Sequence, residues 1–463
     1  MLKRKMTSVL KAWKEEGAHV ALNIYGARQV GKSTVVREFG RSEYEAYIEI
    51  NFIDQPDAVQ IFEGTNGAEE ILRNLTAFTG QSIIPGNTLI LLDEIEECPA
   101  ARTAIKFLVE DGRAHYIETG SMLGIHLRDI RSLPVGFERS LHMYPMDFEE
   151  FLWARRVPDE TIVLLHSLYE KQEPVPEAVH QVLMRLFYEW LAVGGMPKAV
   201  QSFVEFQDMA KVFQIQKDIL DLYEQDITKC ARSQDRLKIM EIFRSIPAQL
   251  DQKNRRFQFS MLNPNARFRE LESSFLWLSE AATALPCYNV RQPQMPLILN
   301  EKRSLFRLYM SDTGLLCAAS LNDVQFDLLK GRTEINAGSI LENAFAQALV
   351  SKGKDLFYYD SKAQNMELDF VVGDGAACDV LEIKSGNEFK KHKALDKALV
   401  NPEWDFKKAI VFSKSNIERD GDILYLPFYM VMFYGEEKEE TPAYEGPDIA
   451  VLNAWSNEPR SEH

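Results

Sequence analysis

Over the first 150 residues, short apolar runs alternate with amphipathic stretches. Runs of this kind predict buried strands near 19–25, 46–52, 88–93 and 114–119, separated by helices, which is an α/β pattern. From Asp147 to about Ala231 the apolar spacing becomes helical. It begins at Phe148-Glu149-Glu150-Phe151-Leu152-Trp153 and breaks at a turn, Gly194-Gly195-Met196-Pro197. Residues 232–330 read as short helices followed by strands near 286–291 and 305–310, the order of a winged helix. Residues 338–434 open with a helix and continue as strands at 356–359, 367–372, 379–384 and 409–412. The acidic, polar end, from Gly435-Glu436-Glu437-Lys438 onward, reads as solvated. The units expected are therefore 1–150, an α/β core; 151–231, a helical lid; 232–330, a winged-helix-like region; 331–434, a second α/β unit; and 435–463, a tail.

Composition narrows this picture little. A chain of 463 residues with 46% hydrophobic and 26% charged residues is ordinary for a soluble protein of several domains. No apolar run approaches a membrane span, and the basic start Met1-Leu2-Lys3-Arg4-Lys5 leads into an amphipathic helix, so no membrane role is expected. The five cysteines, with no C-x-x-C pair, indicate neither a zinc site nor a disulfide framework and fit the cytoplasm. A net charge of −16 argues against a chain-wide nucleic-acid surface, though not against a local basic patch.

The chemistry concentrates in two places. Residues 26–33 read Gly-Ala-Arg-Gln-Val-Gly-Lys-Ser, a complete G-x-x-x-x-G-K-[ST] phosphate loop between a predicted strand and a predicted helix. Backbone N–H groups and the positive helix end would face the phosphates, and Gly26 and Gly31 would let the backbone close around them. Lys32 would reach the β- and γ-phosphates, and the Ser33 hydroxyl would bind Mg²⁺. The nucleotide-binding set is Gly26, Ala27, Arg28, Gln29, Val30, Gly31, Lys32, Ser33 and Thr34, joined by Asp93. Thr88-Leu89-Ile90-Leu91-Leu92-Asp93-Glu94 is an apolar strand ending in two carboxylates, a Walker B pattern. Asp93 would hold Mg²⁺ and Glu94 would orient or deprotonate the attacking water; a solvated acidic loop is the competing reading. Thr119 and Ser121 at the end of the next strand are either sensors of the γ-phosphate or a capped Gly-Ser turn.

The second place is the C-terminal unit. Alternation puts Glu382 and Lys384 on one strand face and Glu367 and Asp369 on another. Asp369 followed by Glu382-x-Lys384 fits the D…(D/E)-x-K spacing of PD-(D/E)xK nuclease cores. There Asp369 and Glu382 would hold Mg²⁺, Lys384 would orient water or stabilise charge, and Glu342 on the opening helix would add a further acid. Charged residues on an open sheet face give the same spacing. Lys390, Lys391, Lys393 and Lys397 just beyond form a local basic stretch that could follow a phosphate backbone.

Taken together, these motifs resemble prokaryotic AAA-type ATPases with a C-terminal domain of unknown function 4143. Carrying the resemblance are residues 26–33, Leu92-Asp93-Glu94-Ile95, Thr119-Gly120-Ser121, residues 144–152, Gly194-Gly195-Met196-Pro197, residues 222–227 and 308–316, Glu342-Asn343, Glu367-Leu368-Asp369-Phe370 and Glu382-Ile383-Lys384-Ser385-Gly386. It implies an AAA core, a helical and winged-helix-like middle, a restriction-endonuclease-like C-terminal domain, and ATP in preference to GTP; no Asn-Lys-x-Asp base-reading element is visible. The family often supplies an arginine that could act in trans, and a core that needs one would require a neighbouring copy, a homo-oligomer; the oligomeric state itself is left open. The family's arginine place after Pro134-Val135-Gly136 holds Phe137 here, so Arg128, Arg131 and Arg139 are the candidates. Tyr223…Asp226 and Asp312…Gly314 are family signatures that read as packing and capping. The expected activity is Mg²⁺-dependent ATP hydrolysis that drives or gates the C-terminal domains, on DNA or a protein partner. Two alternatives are a slow nucleotide-dependent switch and an ATP-regulated metal-dependent nuclease.

Overall fold

A computed structural model of the chain describes residues 2–64, 67–120, 136–252, 255–320, 329 and 337–436. Ser121, Arg128, Arg131 and the tail beyond residue 436 lie outside the described residues.

The N-terminal sheet contains β1 (Ala21–Tyr25), β2 (Ala46–Asn51), β3 (Thr88–Asp93), β4 (His115–Gly120) and β5 (Glu138–His142). All its pairings are parallel and the order is β2-β3-β4-β1-β5. Every residue of β3 is buried, as expected where helices cover both sheet faces. The helix Lys32–Glu43 buries Val35, Val36 and Phe39 on one face, and Gly40 lets it close on the Tyr47 ring, where a Cβ would collide. Strand β5 had no apolar run to announce it. It is an edge strand whose residues are half-buried or exposed, so burial left no periodic mark on it.

The middle is helical, with long helices at Glu177–Val193, Met209–Cys230 and Arg236–Leu250. Asp147 starts the helix Phe148–Ala154 with a capping box completed by Glu150. Among the described residues no helix is long and apolar enough to cross a membrane.

The second sheet joins β6 (Ala284–Val290), β7 (Glu301–Met310), β8 (Phe357–Ser361), β9 (Met366–Asp374), β10 (Ala377–Ile383), β11 (Phe406–Ser413), β12 (Glu418–Asp420) and β13 (Ile423–Pro427). Its order is β12-β13-β11-β10-β9-β8-β6-β7. The antiparallel pair β6–β7 stands where a wing was expected, but it does not stand alone. Tyr288 and Asn289 of β6 pair in parallel with Phe357 and Tyr358 of β8. The sheet therefore runs across the boundary expected at 330–331, because β6 finds its second partner more than sixty residues downstream. One apolar cluster continues from Leu22 and Ile24 through Phe187 and Trp190 to Phe345, Phe412 and Tyr429.

Candidate functional site

Strand order assembles the candidate nucleotide site. β4 lies between β1 and β3, so the phosphate loop, the end of β4 and the carboxylates after β3 share one edge, the place where ligands bind in open α/β sheets. Register sets Tyr25 beside Gly120, and Asp93 between Thr119 and Asn51. Gly26 (φ 152) and Gly31 (φ 93) adopt backbone that side chains disfavour. A Cβ on Gly26 would fall well inside contact distance of the Met143 carbonyl oxygen. Lys32 opens the helix, and its Nζ donates to the Gly26 and Ala27 carbonyls at 3.0 Å each. Burial pushes this ammonium below its usual range, against the pull of Glu94, Glu96 and Asp93. An incoming phosphate would place an anion in direct contact with Nζ, which is bonded to the Gly26 and Ala27 carbonyls.

Asp93 gathers the oxygens that Mg²⁺ would need. Ser33 Oγ donates to its Oδ1 at 2.8 Å, Thr119 Oγ1 donates to the same oxygen, and Asn51 Nδ2 donates to Oδ2 at 3.0 Å. Two hard oxygen donors at the foot of a phosphate loop suit an ion that takes its remaining ligands from phosphate and water. Glu94 leaves the strand in a left-handed conformation (φ 55). Burial first, then Glu96 and Asp93, push its carboxyl up to about 7, with Lys32 and Arg28 opposing. A carboxylate near neutrality is suited to accept a proton from water.

Further side chains contribute beyond the predicted set. Arg4, almost fully buried, donates to Val30 O at 2.7 Å, to Tyr144 O at 2.7 Å and to Glu150 Oε1 at 3.0 Å, bracing the loop from behind. Asn51 completes the Asp93 cluster. Lys198, just inside the helix Pro197–Phe206, lines a cavity of about 430 Å³ together with Arg28, Lys32, Ser33 and Glu94. Asp226 pairs with Arg28 Nε at 3.2 Å, and Tyr223 Oη donates to Arg28 O at 3.2 Å. The Tyr223…Asp226 signature thus has a physical task, holding the loop from the helix Met209–Cys230. The Asp312…Gly314 signature meets the glycine turn: Asp312 accepts from Gly195 N at 2.5 Å and caps the next helix through Leu315 N at 2.9 Å. Arg139 pairs across from Leu22, short of the loop, and its guanidinium meets the exposed Glu16 at 3.2 Å, so it does not reach the phosphate loop of its own chain.

The C-terminal acids do converge. Antiparallel pairing of Leu381 with Phe370 makes Glu382 and Asp369 next neighbours across the ladder. Asp369 Oδ2 accepts from Ile383 N at 2.9 Å, and Glu382 Oε1 accepts from Lys384 Nζ at 2.5 Å. Burial, then Asp369, push Glu382 up to about 8. Glu342 is occupied otherwise. It accepts from Arg255, from Arg307 Nη1 at 3.3 Å and from Tyr309 Oη at 3.1 Å. Arg307, 1% exposed, also pairs with Glu367, reaches Asp369 O at 3.5 Å and lies 4.3 Å from the Tyr358 ring centroid. Glu382 Oε2 is buried without a partner, the one feature a metal would relieve. Against it stand two fixed guanidinium groups and the finding that, among the described residues, no three acidic, His or Cys side chains are arranged to hold a metal. Glu342 is not a free ligand, because Arg255 and Arg307 already neutralise it. Of the lysines beyond, Lys390 pairs with Glu418 and Lys391 with Glu388.

Three family models match parts of the chain. Residues 18–152 match the model of an AAA domain, residues 184–325 that of a domain of unknown function, DUF8612, and residues 337–430 that of another, DUF4143. No curated protein matches the chain. Among solved structures, the Walker-type ATPase PABY2304 of Pyrococcus abyssi is 12% identical, with 69% of this chain and 96% of that one covered and a TM-score of 0.43. The ADP form of the Aeropyrum pernix ORC2 protein is 12% identical (71% and 93% covered, TM-score 0.28). The Thermotoga maritima RuvB Holliday junction branch migration motor is 12% identical (61% and 89% covered, TM-score 0.27). Likenesses this distant carry no argument about activity.

Proposed function

We propose that this chain, an AAA-type ATPase with a DUF4143 domain at its C-terminal side, binds ATP at residues 26–34 and hydrolyses it to reposition its C-terminal half. The observation that carries the reading is the convergence of Lys32, Ser33, Asp93, Thr119 and Glu94 on one sheet edge. Phosphoryl transfer asks the protein for positioning and charge neutralisation. The loop N–H groups and Lys32 bind the phosphates, and Ser33 and Asp93 would hold Mg²⁺, which supplies further neutralisation when bound. Thr119 steadies Asp93, and Glu94 accepts the proton of the attacking water. Movement would reach the C-terminal half through Arg28, Tyr223 and Asp226 on one side and Asp312 on the other.

The test is Mg²⁺-dependent turnover in the full chain, abolished in Lys32→Ala and Glu94→Gln while Glu94→Gln still binds ATP. Unchanged turnover in Lys32→Ala would sink the reading. A single-turnover rate far below about one per minute, the range of unassisted nucleotide switches, would recast the protein as a slow switch.

A further inference from the structure

Charge builds on the transferring phosphoryl group, and a guanidinium is the usual answer to it. Arg139 is engaged with Glu16 away from the loop. Two arginines, however, line the cavity with Lys32, Ser33 and Glu94. Arg4 is spent on Glu150, Val30 and Tyr144, which leaves Arg28, the third residue of the loop itself. Its position is fixed twice, at the main-chain oxygen by Tyr223 Oη and at Nε by Asp226. Neither of its Nη groups donates a hydrogen bond to a described residue, and the side chain is 34% exposed. Its charge is felt at both Lys32 and Glu94. Asp226 is itself buried and faces Arg28, with Lys229 nearby, so its carboxylate is committed to orienting a cation.

We propose that Arg28 is a catalytic arginine supplied in cis, its Nη groups bonding the γ-phosphate oxygens during transfer while Asp226 and Tyr223 act as positioning residues. The inference rests on the ATPase reading above. In the step it serves, a water oxygen bonds to the γ-phosphorus, and the bond from that phosphorus to the bridging oxygen breaks with its electron pair left on ADP. The water proton passes to Glu94, and Arg28 neither gains nor loses a proton. A purely structural Arg28 would pin the loop and so govern nucleotide affinity. A catalytic one governs turnover.

The experiment measures kcat, KM and separately the Kd for a fluorescent ATP analogue, on full-length wild type, Arg28→Ala, Arg28→Lys, Asp226→Asn and Lys32→Ala. Arg28→Ala is expected to lose about 10²–10³-fold in kcat, the scale of one transition-state donor, with Kd changed less than about tenfold. Arg28→Lys should not restore it, because a lysine cannot present two donors in a plane. Asp226→Asn should lose about tenfold in kcat. An equimolar mixture of Arg28→Ala and Lys32→Ala should stay as slow as its parts. Three outcomes overturn the assignment: kcat of Arg28→Ala within threefold of wild type, a loss confined to Kd, or recovery in the mixture, which would mean supply in trans. If Lys32→Ala itself turns over like wild type, it is the ATPase reading that has failed.

Discussion

Replacing Arg307 by methionine tests whether the C-terminal acid cluster is an internal ion lock. The guanidinium comes from β7, while its partners Glu342 and Glu367 come from the helix Ala337–Ser351 and from β9. At 3.3 Å and an effective dielectric constant of about 20, the Arg307–Glu342 attraction is about 5 kcal/mol gross. Desolvation of two buried ions offsets most of it, so the intact pair is close to neutral for stability. Removing one partner is different, since the buried carboxylate that remains costs about 3–5 kcal/mol. Arg255 and Tyr309 still reach Glu342, which favours the lower end, about 3 kcal/mol. Methionine preserves most of the volume, so the loss reports charge and not a cavity. Hydrogen exchange reads the effect locally: amides of β6, β7, β8 and the helix Ala337–Ser351 should exchange about 100-fold faster. The double variant with Glu342→Gln should regain part of the loss. Exchange unchanged within threefold in those segments, or strictly additive single and double effects, would refute the lock.

Three further outcomes follow from the same geometry. Gly26→Ala sets a Cβ against the Met143 carbonyl at φ 152 and should weaken ATP binding at least 100-fold, measured by calorimetry, while far-UV dichroism stays native. Burial, and then Lys32, hold His142 down to about 4. Its ring stays neutral in the folded chain while the unfolded chain gains a proton below about 6.5, so stability is lost as pH falls; the loss at pH 5.5 is about 1 kcal/mol. Denaturation of His142→Phe at pH 7.5 and 5.5 should show that increment removed, and an unchanged pH slope would contradict it. With nucleotide absent, the Lys32→Ala chain should bind no Mn²⁺ tighter than about 100 µM by electron paramagnetic resonance; a site that disappears in Asp369→Asn would restore a metal to the C-terminal cluster.

Much of the nucleotide site was legible because its chemistry is contiguous. A strand, a glycine turn and a helix start are encoded in neighbouring residues, and β1, β3 and β4 are fully or nearly buried runs that burial itself marks out, while β2 buries only Ile48 and Ile50. β5 was not legible, being a polar edge strand, and neither was Arg4, whose three partners lie 26 to 146 residues away. In the C-terminal unit, strand pairing sets Asp369 across the ladder from Glu382, which accepts from Lys384. What spacing could not carry was Arg307, because the pairing of β6 with β8 brings that guanidinium in from a region that reads as separate.

The sequence by itself determined a strand, a glycine turn and a helix start at residues 26–33, since backbone conformation and helix polarity there depend on local residues alone. Only the tertiary structure decided which charges meet. Sheet order put Thr119 against Asp93, the helix Met209–Cys230 carried Asp226 to Arg28, and β7 carried Arg307 to Glu342. Electrostatic energy falls with distance in space, not along the chain, so whether an acid becomes a metal ligand, a base or half of an ion pair is settled when distant strands pair.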